Sequence, residues 1–343
     1  MYDEDDLRAR CREYVDAFGV DRVAYAGKAF LCVAMARLIE EEGLSLDIAT
    51  GGELHVALHA GFPPQRLVFH GNNKSDDELA AALDAGVGRV VVDSFDEIDR
   101  LDSLVAGGRT APAVLVRVTP GVEAHTHEHI ETGIEDSKFG LSLERGEALA
   151  AARRIAAGGR MRLAGIHCHI GSQVFSLDSY ARAARKMAGL VHMVEETTGA
   201  PVDEVNVGGG LGVRYVRDDD PPSIAQYAEV VRESLASALA AAGVRSVPRL
   251  TVEPGRSVAG PPGLTLYTVG TIKEIPGIRT YVAVDGGMSD NPRPALYGAR
   301  YEAFVPSRVT AERPLVATIA GKHCEQGDVL VRDAHLPRRS GSR

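Results

Sequence analysis

The 343-residue chain has no tryptophan, only four cysteines, and aromatic side chains at 5%. Cys11, Cys32, Cys168 and Cys324 stand far apart without a C-x-x-C pair, so neither a disulfide framework nor a structural zinc site is indicated. A reducing compartment fits that usage best. No run of about 18 apolar residues occurs anywhere. The opening Met1-Tyr2-Asp3-Glu4-Asp5-Asp6 is acidic where a secretory leader would be basic and then apolar. The expected location is therefore the cytoplasm, with no membrane partner. Basic charge is also short, with 38 Lys and Arg against 47 Asp and Glu and a net charge of −9. Without a basic stripe to neutralise phosphates, non-specific nucleic-acid binding is not expected.

What remains is an ordinary globular composition, 45% hydrophobic and 25% charged, with 37 glycines. Length alone suggests about two domains, although an eight-stranded α/β barrel can use about 250 residues by itself. Eight short runs rich in Val, Ile and Leu recur: 22–28, 44–50, 67–71, 89–94, 113–120, 163–170, 204–210 and 249–256. Each is followed by a stretch with helical spacing, Glu147–Ala157 and Tyr227–Ala242 being the plainest. Strand and helix alternating eight times predicts a parallel sheet closed into a (β/α)8 barrel, with an open doubly wound sheet as the competing architecture. Polar residues at the strand ends (Lys28, Thr50, His70, Asp93, Arg117, His169, Glu253) favour the barrel, where those ends converge on one mouth. After Gly260-Pro261-Pro262-Gly263 the texture turns β-rich. The expected organisation is a barrel over 1–260, a smaller β-rich domain over 261–335 and a solvated tail over 336–343.

Several of these residues could carry chemistry. Lys28 closes an apolar strand, and desolvation in the mouth would lower its pKa and make it a nucleophile toward an aldehyde; a snorkelling strand-end lysine is the plainer reading. Gly208, Gly209 and Gly210 could let backbone N–H groups approach a phosphate, or could serve sterics alone. Glu253 and Arg256 could hold a pyridine nitrogen and an anion, or simply pair with each other. His167 and His169 lie on one strand face, as a metal pair or as an imidazole stacked on a flat cofactor. His125, His127 and His129 raise the metal reading, but no third strand offers a clear ligand set, and no metal is expected. Cys324, beside Lys322, His323 and Glu325, is electrostatically suited to proton transfer, or is an inert thiol.

Taken in order, YAGKAF (25–30), ATGGEL (49–54), FHGNNKS (69–75), DSKFG (136–140), HCHIGSQ (167–173), NVGGGLG (206–212), EPGRS (253–257), DGGMSDNPRPALYGARYEA (285–303) and GKHCEQGD (321–328) resemble the diaminopimelate decarboxylases. These are barrel-type (alanine racemase-like, fold type III) pyridoxal phosphate enzymes. The resemblance implies decarboxylation of meso-2,6-diaminopimelate to L-lysine and CO2, with pyridoxal 5'-phosphate as cofactor. It makes Lys28 the lysine that holds the cofactor and His169 the imidazole on its ring. Glu253 becomes the partner of the ring nitrogen. Ser172, Gly208, Gly209, Gly210, Gly255 and Arg256 become the phosphate cradle. Arg256, Arg293 and Tyr297 are then groups for substrate carboxylates, Glu325 faces a substrate amine, and Cys324 donates the proton. It also implies a homodimer in which Cys324 and Glu325 reach the neighbouring subunit's site.

Two departures stand out: Gln326 where the family usually has a small residue, and Ala49-Thr50 in place of the commoner pair. The chain also looks short at both ends against the family pattern, so an incomplete β domain with an unpaired sheet edge is expected. The rival readings are an ornithine- or arginine-type decarboxylase, a truncated cofactor-binding relative without turnover, and a metal-dependent barrel hydrolase built on His167 and His169.

Overall fold

A computed structural model describes residues 1–123, 136–244 and 246–338. They fall into two compact units, one of residues 2–213 and 221–263, the other of Met1, residues 214–220 and the chain from Leu264.

The first unit opens with α1 (Glu4–Phe18), capped by the Asp3 side chain and carrying three acids in its first turn, where the helix dipole favours them. Strand and helix then alternate: β1 (Ala24–Ala26), α2 (Val33–Glu41), β2 (Ser45–Ile48), α3 (Gly51–Ala60), β3 (Leu67–Phe69), α4 (Asp76–Ala85), β4 (Arg89–Val92) and α5 (Phe95–Ala106). There follow β5 (Ala113–Thr119), β6 (Leu141–Ser142), α6 (Glu147–Gly158), β7 (Arg162–Cys168), α7 (Leu177–Thr198), β8 (Glu204–Asn206), α8 (Ile224–Ala241), β9 (Arg249–Thr251) and the short α9 (Arg256–Ala259). Eight of the nine strands pair in parallel in the order β1-β2-β3-β4-β5-β7-β8-β9. A parallel bridge between Val23 and Val252 joins the two ends, and Ala24 and Ala26 N–H groups donate to the carbonyls of Val252 and Pro254 at 2.9 Å. The sheet is therefore a barrel, and each of the eight apolar runs coincides with one of its strands, to within one residue at the start of β7. β6 was not expected; it has two residues and pairs with β5, too short to leave a periodic signal.

Side chains along each strand alternate between two cores, as the two-residue period requires. Outward residues such as Tyr25, Leu46, Ile48, Phe69, Val92 and Val116 join the helices in one large cluster. Inward residues Ala24, Val68, Val91, Leu115 and Ala164 form a separate small plug. Two positions further on, the same inward parity passes to His70, Asp93 and Arg117, all buried and polar. A register shift in β7 opposite Val114 and Leu115 puts His167 in step with Arg117. The sequence thus stacks an apolar floor under a buried polar layer at the mouth end.

The second unit is a four-stranded sheet, β10 (Val269–Ile275), β11 (Arg279–Val284), β12 (Leu315–Ala320) and β13 (Val329–Leu336), in that order, with the β11/β12 pair parallel and the others antiparallel. Val282, Val284, Ala317, Ile319, Leu330, Ala334 and Leu336 form its core. Leu336, the first residue of the expected tail, ends β13 and is buried. β10 is an edge strand exposed over most of its length, with Val269 and Ile272 among the exposed apolar side chains. A short helix, α10 (Arg293–Tyr297), precedes β12. Among the described residues no helix is long and apolar enough to cross a membrane.

Candidate active site

The polar layer at the barrel mouth centres on Glu253. Its Oε1 accepts from Asn206 Nδ2 at 2.8 Å and meets His70 Nε2 at 2.7 Å, while Oε2 meets His167 Nε2 at 2.9 Å. The ends of β3, β7, β8 and β9 thus converge on one carboxylate, and all four residues are 6% exposed or less. Burial works to raise the Glu253 pKa, but His70 and His167, by charge and by hydrogen bond, hold it well below the usual carboxylate range. For His70, burial disfavours the charged ring, yet Asp47 and Glu253 together raise its pKa. For His167 burial wins and the pKa falls to about 4, which makes it a neutral donor through Nε2, with Nδ1 buried and lacking a hydrogen-bond partner among the described residues. Asp47, 3.9 Å from His70, is pushed up to about 6 by burial. His70 and Glu253 therefore form the charged pair of this layer.

This arrangement fits a pyridoxal ring. A carboxylate offers about four acceptor positions. Oε1 uses two and Oε2 one, which leaves a place for a ring N–H. His169 supplies a flat neutral surface: its Nδ1 accepts the Gly209 N–H at 3.2 Å, and burial, with Lys28 and Arg117 nearby, lowers its pKa well below the ordinary value. Lys28 acts electrostatically on both Asp47 and His169, as Glu253 does, so amine and acid address the same space. The expected desolvation of Lys28 is corrected, however. β1 stops at Ala26, and Lys28 falls in a single 3₁₀ turn with its side chain exposed.

The glycines are explained first by sterics. A Cβ on Gly208 would lie 2.5 Å from the Cys168 carbonyl oxygen, one on Gly209 2.0 Å from that of Glu253, and one on Gly210 2.0 Å from that of Gly171. Gly208 and Gly210 also have φ of +70° and +99°, which side-chain-bearing residues rarely adopt. The N–H of Gly208 is taken by Asn206 Oδ1 (2.8 Å) and that of Gly209 by His169 Nδ1. The reading of all three as phosphate ligands is thereby corrected: Gly208 and Gly209 shape the loop with their donors committed. Gly210 keeps an N–H without a protein acceptor among the described residues. Tyr180, buried, holds the Gly209 carbonyl at 3.3 Å. Gly209→Ala is expected to abolish cofactor retention and to destabilise the barrel by about 2–4 kcal/mol, as overpacking against backbone does. Thermal melting with and without pyridoxal phosphate checks it; unchanged retention would contradict it.

Ser172 Oγ accepts from Arg256 Nη2 at 3.2 Å, which brings the ends of β7 and β9 together. Gly255 packs against Ala26 and Ala29, where a Cβ would lie 3.0 Å and 3.1 Å from theirs. The metal reading also changes. His70, His167 and Glu253 bring their ligand atoms within 4.8 Å of one another, so a third strand does offer a partner. Those atoms are bonded to each other, however, and His169 turns to Gly209 instead of joining His167. His125, His127 and His129 lie outside the described residues.

The remaining assigned residues belong to the second unit. Arg293 begins α10; its Nη1 donates to the Tyr301 hydroxyl at 2.6 Å and its guanidinium lies 4.7 Å from the Tyr215 ring centre. Tyr297 ends the same helix. Cys324, Glu325 and Gln326 are exposed. His323, expected to flank the thiol, has Nδ1 tied to Asp328 at 2.9 Å. Sequence reasoning did not assign roles to Asp47, His70, Asn206 or Asp328. Inward parity was the signal available for the first three.

The pyridoxal-dependent decarboxylase family is matched over nearly the whole chain, its pyridoxal binding domain by residues 4–260 and its C-terminal sheet domain by residues 258–342. Barrel, mouth and sheet together define that class. Diaminopimelate decarboxylase of Mycobacterium tuberculosis is 52% identical over 346 residues, which cover 98% of this chain and 77% of that protein. The Bacillus subtilis enzyme of the same name is 46% identical over 341 residues, covering 98% and 77%. The solved diaminopimelate decarboxylase from M. jannaschii, in co-complex with L-lysine, superposes with a TM-score of 0.90 at 32% identity, covering 99% of this chain and 78% of that one. The chain belongs to the diaminopimelate decarboxylase family.

Proposed function

We propose that this chain holds pyridoxal 5'-phosphate in its barrel mouth and releases one carboxylate of meso-2,6-diaminopimelate as CO2, leaving L-lysine. The observation that carries this reading is the Glu253 carboxylate, fixed by His70, His167 and Asn206 with one acceptor position open. When bound, the cofactor supplies an electron sink for the pair left behind by CO2. Lys28 holds its aldehyde carbon, and Glu253 keeps a proton at its ring nitrogen. His169 lies against the ring, and the Gly210 N–H, Ser172 and the Gly255-Arg256 turn take the phosphate. Arg256, Arg293 and Tyr297 bind the substrate carboxylates, and Glu325 binds the distal amine. The Cys324 thiol gives its proton to the carbon that has lost CO2. Cys324 and Glu325 act across a homodimer interface, and the protein works in the cytoplasm.

A second anchored carboxylate separates this substrate from ornithine and arginine, which have only one. The test is an absorbance spectrum with and without pyridoxal phosphate, followed by CO2 release from meso-diaminopimelate, ornithine and arginine in parallel. CO2 from diaminopimelate alone is the expected result; turnover of ornithine or arginine at a comparable rate would redirect the assignment. Arg293→Ala is expected to raise KM for diaminopimelate by roughly 10–100-fold, the loss of a charge-assisted hydrogen bond, with a smaller change in kcat. Steady-state kinetics that leave KM where it was would remove Arg293 from the substrate.

A further inference from the structure

Asp328 is 3% exposed, and three donors from two different loops converge on its carboxylate. Oδ1 accepts the Met288 N–H at 2.6 Å; Oδ2 accepts the His323 N–H at 2.8 Å and faces His323 Nδ1 at 2.9 Å. Two glycines make room for it. A Cβ on Gly321 would lie 2.2 Å from Asp328 Oδ2, and one on Gly287 would lie 2.6 Å from the same oxygen and 2.4 Å from His323 Nδ1. The Lys322 N–H adds a backbone link to the Gly286 carbonyl at 2.9 Å. One loop, residues 285–292, runs directly into α10 with Arg293 and Tyr297. The other, 321–328, carries Cys324 and Glu325. Burial works against ionisation of Asp328, but the N–H groups of His323 and Met288 hold its carboxyl below the ordinary value, as a group serving as a fixed acceptor requires.

We propose that Asp328 is a positioning residue whose two oxygens tie the loop leading to Arg293 to the loop carrying Cys324 and Glu325, so that one buried group sets both substrate anchoring and proton delivery. The proposal rests on the roles given above to Arg293 and Cys324. The carboxylate suits the task because each oxygen serves a different loop. An amide of the same shape has one acceptor oxygen and one N–H2 group, so it can satisfy Met288 or His323 but not both.

Asp328→Asn in the holoenzyme is the test. Hydrogen exchange is expected to rise by roughly tenfold or more in residues 285–291 or in 321–328, with the barrel unchanged. The kcat for diaminopimelate is expected to fall by about 10–100-fold. Cofactor absorbance should not change. Because Asp328 acts through Cys324, the double variant Cys324→Ala/Asp328→Asn should have the kcat of Cys324→Ala alone. Unchanged exchange in both loops, or effects on kcat that multiply, would overturn the proposal. Should Cys324→Ala keep the wild-type rate, the role given to Cys324 falls, while hydrogen exchange still decides Asp328 because it reads the loops and not the reaction. If Asp328→Asn does not fold, His323→Ala removes one donor and leaves Met288 in place. It should loosen 321–328 alone, and an unchanged exchange rate there would count against the proposal.

Discussion

Lys28→Ala is expected to lower CO2 release by about 10⁴-fold, the scale of loss when the group that makes the covalent bond is removed. The fold should survive, because the Lys28 side chain is exposed and lies in a one-turn segment outside the barrel strands. Lys74, close by after β3, cannot take its place. Lys74 is buried with its ammonium committed to Glu97 (2.6 Å), the Gly71 carbonyl (2.7 Å) and the Val91 carbonyl (3.0 Å), so all three of its donors are engaged. Breaking that arrangement would strand a buried charge. The measurement is CO2 release together with the visible absorbance of the cofactor and the melting temperature. Loss of both rate and visible band with an unchanged melting temperature is the predicted pattern. A variant that keeps its rate would show that a different amine holds the cofactor.

Glu253→Gln is expected to act on stability and rate together. The glutamine side chain has one acceptor oxygen, and its N–H2 group would face either His70 and Asn206 or His167, all of which now point donors at a carboxylate. It also leaves His70, whose pKa is raised by Glu253 and Asp47, without its nearest counter-charge in a buried site. Removing one partner of a buried pair costs about 3–5 kcal/mol. The rate should fall further, by roughly 10²–10³-fold, since a preorganised charge at the ring nitrogen is lost. Thermal melting and kcat measured on the same sample check both halves. A variant as stable as wild type would mean that the His70–Glu253 pair is not the electrostatic centre of this layer.

Much of this was legible from residue patterns because the eight strands are buried beyond their first residues and carry runs of Val, Ile and Leu separated by glycine or proline. Barrel closure followed from the count and from polar residues falling at the strand ends. The Glu253 cluster was legible only in part. His70, Asp47 and Asn206 all share inward parity at the mouth, but which of them reach one carboxylate depends on strand stagger, and stagger leaves no trace in a single sequence. The register shift that aligns His167 with Arg117 is equally silent. Lys28 was read as closing the first strand with a desolvated amine, but β1 ends two residues before it and its side chain is exposed. The glycine cluster pointed to a close approach without saying to what; its neighbours are chiefly backbone carbonyls of adjoining loops. Asp328 escaped because its partners, Met288 and His323, come from two segments 35 residues apart that only the fold of the second unit brings together.

The proposed reaction requires that the cofactor aldehyde be held by one amine, opposite the acid that faces its ring nitrogen. The direct measurement is to load the purified chain with pyridoxal phosphate, reduce it with borohydride and map the modified peptide by mass spectrometry. The expected result is one phosphopyridoxyl group per chain, on Lys28, and none when Lys28 is replaced. A label on Lys74 or Lys138, or no label at all, would contradict it.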